Sequence, residues 1–285
     1  MKVVAVGGGH GTAVSLRALR GLTNDVTGVV SVADDGGSTG RLRALLDVAA
    51  VGDLRKCLGA LADPENALAQ SFEHRFTVGE LDGHAVGNLL LVGLLDATGN
   101  LEESVRAVAQ LMGVTGTIVP ASCEGVVLLA STGEGPTRGQ SQVARSSSIR
   151  RISVEPANAA APIVAVEALE RADVVLIGPG SLFTSVLAAC VIPGILQALA
   201  GTKAQKIYVA NLRPQIPETA DFSLQDHVDA LWDHGVRPDR VLVDVRSTFA
   251  RETCSLATTV ADIAGRNGLV HDVQKLAGAV LAEVR

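Results

Sequence analysis

Residues 2–12 read KVVAVGGGHGT, an apolar, β-branched run that ends on four glycines in five positions. Such a run suits a strand buried on both faces. The bare turn behind it lets backbone N–H groups and a helix N-terminus approach an anion closely. TAVSLRALRGL then has helical spacing with Gly21 near its end, VTGVVSV is a second strand, and ADDGGSTG is the turn that follows. Two apolar strands joined by a helix form a right-handed parallel unit whose turns open on one sheet edge, where α/β folds place ligands. The order returns later in ADVVLIGPGS, KIYVANLRP, the helical HVDALWDH, the strand RVLVDV and a last helix, VQKLAGAVLAEV. The expected fold is therefore α/β, a Rossmann-like parallel sheet with helices on both faces. Residues 52–111 read as helical. Residues 116–156 break the pattern with the short β-like runs TGTIVPA, GVVLLAS and IRRISVEP, which predict a small antiparallel β excursion within one domain spanning 1–285.

Composition narrows the partners. A chain of 285 residues can bury a sizeable core, built here from aliphatics because aromatics are 2% of residues. A net charge of -6 with acids and bases intermixed argues against nucleic acid, so any anion site must be local. Cys57, Cys123, Cys190 and Cys254 lack CxxC spacing and read as small buried hydrophobes in a reducing compartment. Residues 174–202 carry no charge over a length that spans a bilayer, but GPGS at 178–181 and IPG at 192–194 break the run, so no membrane segment is expected. The N-terminus has no basic leader, and the expected location is cytoplasmic.

GGGHG misses the dinucleotide fingerprint, because Thr12 holds the third small position, and with no lysine it is not a P-loop either. Gly7, Gly8, Gly9, Gly11 and Thr12 form either an anion cradle or a tight turn without ligand, and His10 faces a phosphate or solvent. In VADDGGSTGRLR, Asp34 and Asp35 point to opposite sides of an extended segment. One meets a ribose, a metal or a hydroxyl while the other caps the next turn; Gly36, Gly37 and Ser38 follow, and Arg41 can pair with a diphosphate. The plainer reading is an Asp–Gly turn with solvated arginines. Arg55 and Arg75 either reach one anion or snorkel to the surface. His84 and Asn88, four apart, share a face of a helix starting near Gly83. IGPGSLFTSV is a third glycine junction, with Gly178, Pro179, Gly180, Ser181, Thr184 and Ser185 as cradle or helix cap, and Asn211 closes the strand on the same edge.

Together GGGHGT, VSVADDGGSTGRLR, GDLRKCLGAL, HRF, LDGHAVGNLLL, IGPGSLFTSV and NLRPQIPETADFS resemble the bacterial YvcK (CuvA) gluconeogenesis factors, within a group that includes the CofD-type 2-phospho-L-lactate transferases. The match runs from Val3 to about Ser223 and resumes at residues 271–277. The resemblance implies a Rossmann-like core, a homodimer or other homo-oligomer, binding of UDP-N-acetylglucosamine, and a link to cell-wall synthesis and cell shape. In the transferase branch the aspartate and IGPGS turns correspond to the acceptor and nucleotide regions, so Asp34, Asp35, Gly178, Pro179, Gly180 and Ser181 carry over. Val270 and Val273 stand where some members have an arginine and a threonine, and residues 243–269 are unfamiliar. Three readings follow: a nucleotide-sugar sensor without cofactor; a CofD-like phospho-transferase in which Asp34 or Asp35 positions Mg2+ or an acceptor hydroxyl; and an NAD-dependent oxidoreductase, disfavoured by the defective fingerprint.

Overall fold

The computed structural model describes residues 1–46 and 48–284. Among them the strands are β1 Val3–Gly7, β2 Val26–Val30, β3 Thr117–Pro120, β4 Val127–Thr132, β5 Gly135–Arg138, β6 Ile149–Glu155, β7 Val174–Ile177, β8 Gln205–Val209, β9 Arg240–Asp244 and β10 Ala257–Ala261. The helices are α1 Gly9–Arg20, α2 Gly37–Leu46, α3 Gly52–Leu61, α4 Ala67–Phe72, α5 Val86–Thr98, α6 Leu101–Leu111, α7 Gln140–Val143, α8 Ile163–Glu170, α9 Ala188–Cys190, α10 Pro193–Gly201, α11 Leu224–Asp233 and α12 Val273–Glu283.

Seven parallel strands form one sheet in the order β10-β9-β8-β7-β1-β2-β3. β1 and β7 sit at its centre, paired from Val3↔Val174 to Val6↔Ile177, and both are buried along their whole length. That burial is why they read as unbroken Val/Ile/Leu runs rather than as an alternation. The chain leaves β1 toward β2 and β3 on one side and occupies β7 to β10 on the other. The strand order thus reverses between β1 and β7, and this switch point is where an open α/β sheet forms a crevice beyond its strand ends. α1 packs with α3 and α12, while α8, α9, α10 and α11 pack with one another or with β1, β3 and β6.

The antiparallel excursion is a separate three-stranded sheet, β5-β4-β6. The run TGTIVPA does not belong to it. It forms β3, which joins the main sheet parallel to β2 from Thr27↔Thr117, because helices α2 to α6 carry the chain back as a crossover that no hairpin could supply. β10, ATTVA, lies in the unfamiliar stretch; it is short and only partly buried, so it gave little periodic signal. Cys57 and Cys190 are buried, and burial pushes the Cys190 thiol up to about 12, whereas Cys123 is exposed, contrary to its apolar reading. Among the described residues no single helix is long and apolar enough to cross a membrane. The pair Leu182–Cys190 and Pro193–Gly201 is bent by 78°, and every residue of its first half is buried.

Candidate functional site

At the switch point two glycine junctions touch. A Cβ on Gly11 would lie 2.1 Å from the Pro179 carbonyl oxygen, so only glycine lets the first turn of α1 reach the turn after β7. Ser15 fixes the contact by donating from Oγ to the Gly178 carbonyl at 2.8 Å. α1 begins at Gly9 behind an extended Gly8, with no side-chain cap and no acid in its first turn. Its first N–H groups therefore present partial positive charge toward the crevice. Thr12 is turned inward, its hydroxyl donating to the Gly8 carbonyl at 3.1 Å.

Asn211 grips the second junction from both sides. Its Oδ1 accepts from the Gly180 N–H at 3.0 Å and its Nδ2 donates to the Gly180 carbonyl at 2.9 Å, so the side chain holds the turn in place. Beyond that turn, Leu182–Leu187 is a turn of π-helix, and its start is filled by a buried carboxylate. Glu218 accepts from the Phe183 N–H at 2.7 Å and from the Thr184 hydroxyl at 2.8 Å. Burial raises its pKa, and these hydrogen bonds oppose the rise. Thr184 and Ser185 are thereby built into the scaffold while Ser181 stands half-buried at its rim. Sequence reading passed over Glu218 because IPETA reads as loop; a lone acid among apolar and Pro residues was the available signal.

The two aspartates diverge, as their extended segment requires. Asp35 accepts from the Ser141 N–H at 2.7 Å and so ties the DDGG turn to the start of α7. Asp34 turns toward the crevice, accepting from the Gly36 N–H at 3.0 Å. Desolvation raises its pKa, reinforced by the negative charge of Asp53. Asp53 is buried, and its Oδ2 lies 2.5 Å from where a side chain on Gly8 would begin; Lys56 Nζ reaches its Oδ1 at 3.0 Å. Asp53 and Lys56 were missed, because GDLRKCL draws the eye to its arginine although an acid three before a lysine marks one helix face.

That arginine belongs to the interior. Arg55 is 2% exposed. It pairs with Glu73 and donates from Nε to Asn88 Oδ1 at 2.9 Å. Asn88 Nδ2 donates to Ser38 Oγ at 3.0 Å, and Ser38 Oγ also meets His84 Nδ1 at 2.9 Å. His84 and Asn88 therefore converge on Ser38 from two elements, since α5 starts only at Val86. Arg41 and Arg75 line the cavity above this chain and bond the carbonyls of Asp82 and Gly83.

Two cavities border these turns, the first at the DDGG segment and the second at the start of α1. One, of about 760 Å³, is lined by Asp34, Gly36, Gly37, Ser38, Arg41, Lys56 and their neighbours. The other, of about 300 Å³, is lined by His10, Gly11, Pro179, Gly180, Asn211 and the 269–271 segment. His10 is exposed, and burial against its neighbours followed by the charge of Lys56 lowers its pKa. His271 lies at the back of the second cavity; burial depresses it to about 4, so its ring is neutral at pH 7. Among the described residues no group of three or more His, Cys, Asp or Glu is arranged to hold a metal ion.

A parallel sheet with glycine junctions packed together at its switch point defines a Rossmann-like α/β protein. A family model described as 2-phospho-L-lactate transferase CofD matches residues 3–279, and the chain belongs to that family. It is 40% identical over 308 residues to a Deinococcus radiodurans protein named among the gluconeogenesis factors, covering 99% of this chain and 65% of that one. The gluconeogenesis factor of Halalkalibacterium halodurans is 40% identical over 235 residues, 81% of this chain and 73% of the relative. A crystal structure from Bacillus halodurans superposes with a TM-score of 0.90 at 34% identity over 98% of this chain and 99% of that one. Another, described as a member of the UPF0052 family, gives 0.87 at 33% over 98% of both.

Proposed function

We propose that this chain binds UDP-N-acetylglucosamine across the switch point and acts as a cytoplasmic, homodimeric regulator of the gluconeogenesis-factor type, linked to cell-wall synthesis and cell shape. One observation carries the reading: Gly11 and Pro179 pack so closely that two glycine junctions and the uncapped start of α1 form one seat for a pyrophosphate, with the 300 Å³ cavity opening against it. The names of its relatives support the gluconeogenesis-factor type. Calorimetry with UDP-N-acetylglucosamine, with and without Mg2+, tests it, with mass spectrometry of the same mixture. Binding without metal and an unchanged ligand are expected. Failure of both UDP and the sugar nucleotide to bind refutes the reading.

The paired carboxylates favour a second reading, a CofD-like transferase that moves a phosphate-linked group from a nucleotide donor. Mg2+ commonly takes one or two carboxylates together with phosphate oxygens and waters. Asp34 and Asp53 fit that habit, since Asp53 is buried and its charge, after desolvation, raises the Asp34 pKa, a repulsion that a cation would relieve. When bound, the ion supplies neutralisation of phosphate charge. Asp34→Asn separates the readings: a transferase loses turnover by orders of magnitude, whereas a sensor loses about 1–3 kcal/mol of affinity.

A further inference from the structure

Among the described residues four side-chain atoms are buried without a hydrogen-bond partner: Gln215 Oε1, His227 Nε2, Trp232 Nε1 and His271 Nε2. Two of those four residues, Gln215 and His271, line the 300 Å³ cavity that opens against the glycine junctions. A buried polar atom left unpaired costs free energy, so two of them at one cavity mark a place built for an occupant.

Both atoms are acceptors, and both residues are held in place. His271 is 8% exposed. Its ring bonds the Ala210 carbonyl, and burial keeps it neutral at pH 7, so its single N–H is spent there. Nε2, the nitrogen without a partner, is therefore a bare acceptor. Ala210 precedes Asn211, whose amide grips Gly180, so His271 stands beside the pyrophosphate seat. Gln215 lies at the other end of the 211–215 segment, and all five residues of that segment line the cavity. Its backbone is tied to Thr219: the Gln215 N–H donates to Thr219 Oγ1 at 3.0 Å, and the Thr219 N–H donates to the Gln215 carbonyl at 2.6 Å. Much of the remaining wall is aliphatic, with Val14, Leu212, Leu269 and Val270.

We infer that this cavity takes the nucleoside end of the ligand and selects uracil through these two acceptors, Gln215 Oε1 receiving the base N3–H and His271 Nε2 a ribose hydroxyl. The order follows from the chain. A ribose lies next to its pyrophosphate, where His271 is, and the base lies beyond it, where Gln215 is. A flat base suits aliphatic walls with a few placed polar groups, whereas a hexose presents hydroxyls all round. Cytosine has nearly the same shape but a lone pair at N3, so it would set an acceptor against an acceptor and leave both unpaired. The inference rests on the nucleotide reading above and names the residues that set its base preference.

Calorimetry of the full chain with UDP, CDP and 3-methyl-UDP tests it, and needs no variant. CDP and 3-methyl-UDP, which both lack the N3–H, are expected to bind at least about tenfold more weakly than UDP. Of 2′-deoxy-UDP and 3′-deoxy-UDP, one should lose at least about fivefold. Gln215→Met, which removes the acceptor at similar length, should narrow the gap between UDP and 3-methyl-UDP to within about threefold, while Gln215→Glu, which keeps an acceptor, should preserve it. Equal affinity for UDP, CDP and 3-methyl-UDP overturns the inference and leaves the nucleotide reading standing. An undiminished gap in Gln215→Met, or both deoxy ligands binding as well as UDP, also overturns it by placing the recognition elsewhere. If neither UDP nor UDP-N-acetylglucosamine binds, both readings fall together.

Discussion

Gly11→Ala isolates the contact on which the site depends. Alanine is the better helix former by about 1 kcal/mol, so propensity alone raises stability. Against this, the new methyl would sit 2.1 Å from the Pro179 oxygen and 2.7 Å from its carbonyl carbon. Both obstacles are backbone, and neither can swing away as a side-chain tip would. Overpacking of this kind costs about 1–3 kcal/mol and falls at the upper end where backbone must move. The net loss is then about 1–2 kcal/mol, which for a chain of this size lowers Tm by about 2–8 °C. Gly278→Ala is the matched control: it lies in α12 with nothing within 4 Å of the added atom, so only the propensity gain applies and Tm should rise. The assay is thermal melting of both variants in one buffer, followed by UDP titration. A Gly11→Ala protein as stable as the parent, with unchanged nucleotide affinity, refutes the claim that these junctions are pressed together.

Glu218→Ala removes the acceptor for the Phe183 N–H and the Thr184 hydroxyl and should cost about 2–4 kcal/mol, read by denaturant melts, while Glu218→Gln, which keeps one carbonyl oxygen, loses less. Because Asp53 helps to raise the Asp34 pKa, Asp53→Asn should lower it, seen in a carboxyl-carbon NMR titration; an unmoved midpoint means the two are not coupled. His271 is held neutral down to about pH 4 against an ordinary 6.5, so the unfolded chain binds its proton first and stability falls as pH drops through that window. A His271→Gln protein should show a shallower acid limb by about 3 kcal/mol between pH 7 and 4, and an identical limb would contradict the burial argument. Asp35→Ala should raise amide exchange at Ser141 and its neighbours in α7, with little change in β1.

The sheet was legible because its central strands are buried on both faces and so appear as unbroken apolar runs between glycine turns. Periodicity of that kind survives without neighbours. What the sequence hid were roles that depend on a partner distant along the chain. Asn211 was read as facing a ligand, yet both ends of its amide are taken by Gly180, thirty-one residues away. Asp35 was grouped with Asp34, yet its partner is Ser141. Asp53 gained its place only when α3 packed beside α1 and brought its carboxylate under Gly8. β3 was given to the wrong sheet because a four-residue strand carries no mark of what it pairs with.

The chain that runs from exposed Glu73 through buried Arg55, Asn88 and Ser38 to His84 also bears on how this family can diverge. Arg55, Asn88, Ser38 and His84 are buried and linked in series by side-chain hydrogen bonds, so replacing one leaves a buried polar atom of its neighbour without that partner. Drift through single steps is blocked there, and lineages should either keep the whole set or exchange several positions at once. A reconstructed ancestor carrying a partial set should express poorly until the remaining positions are restored.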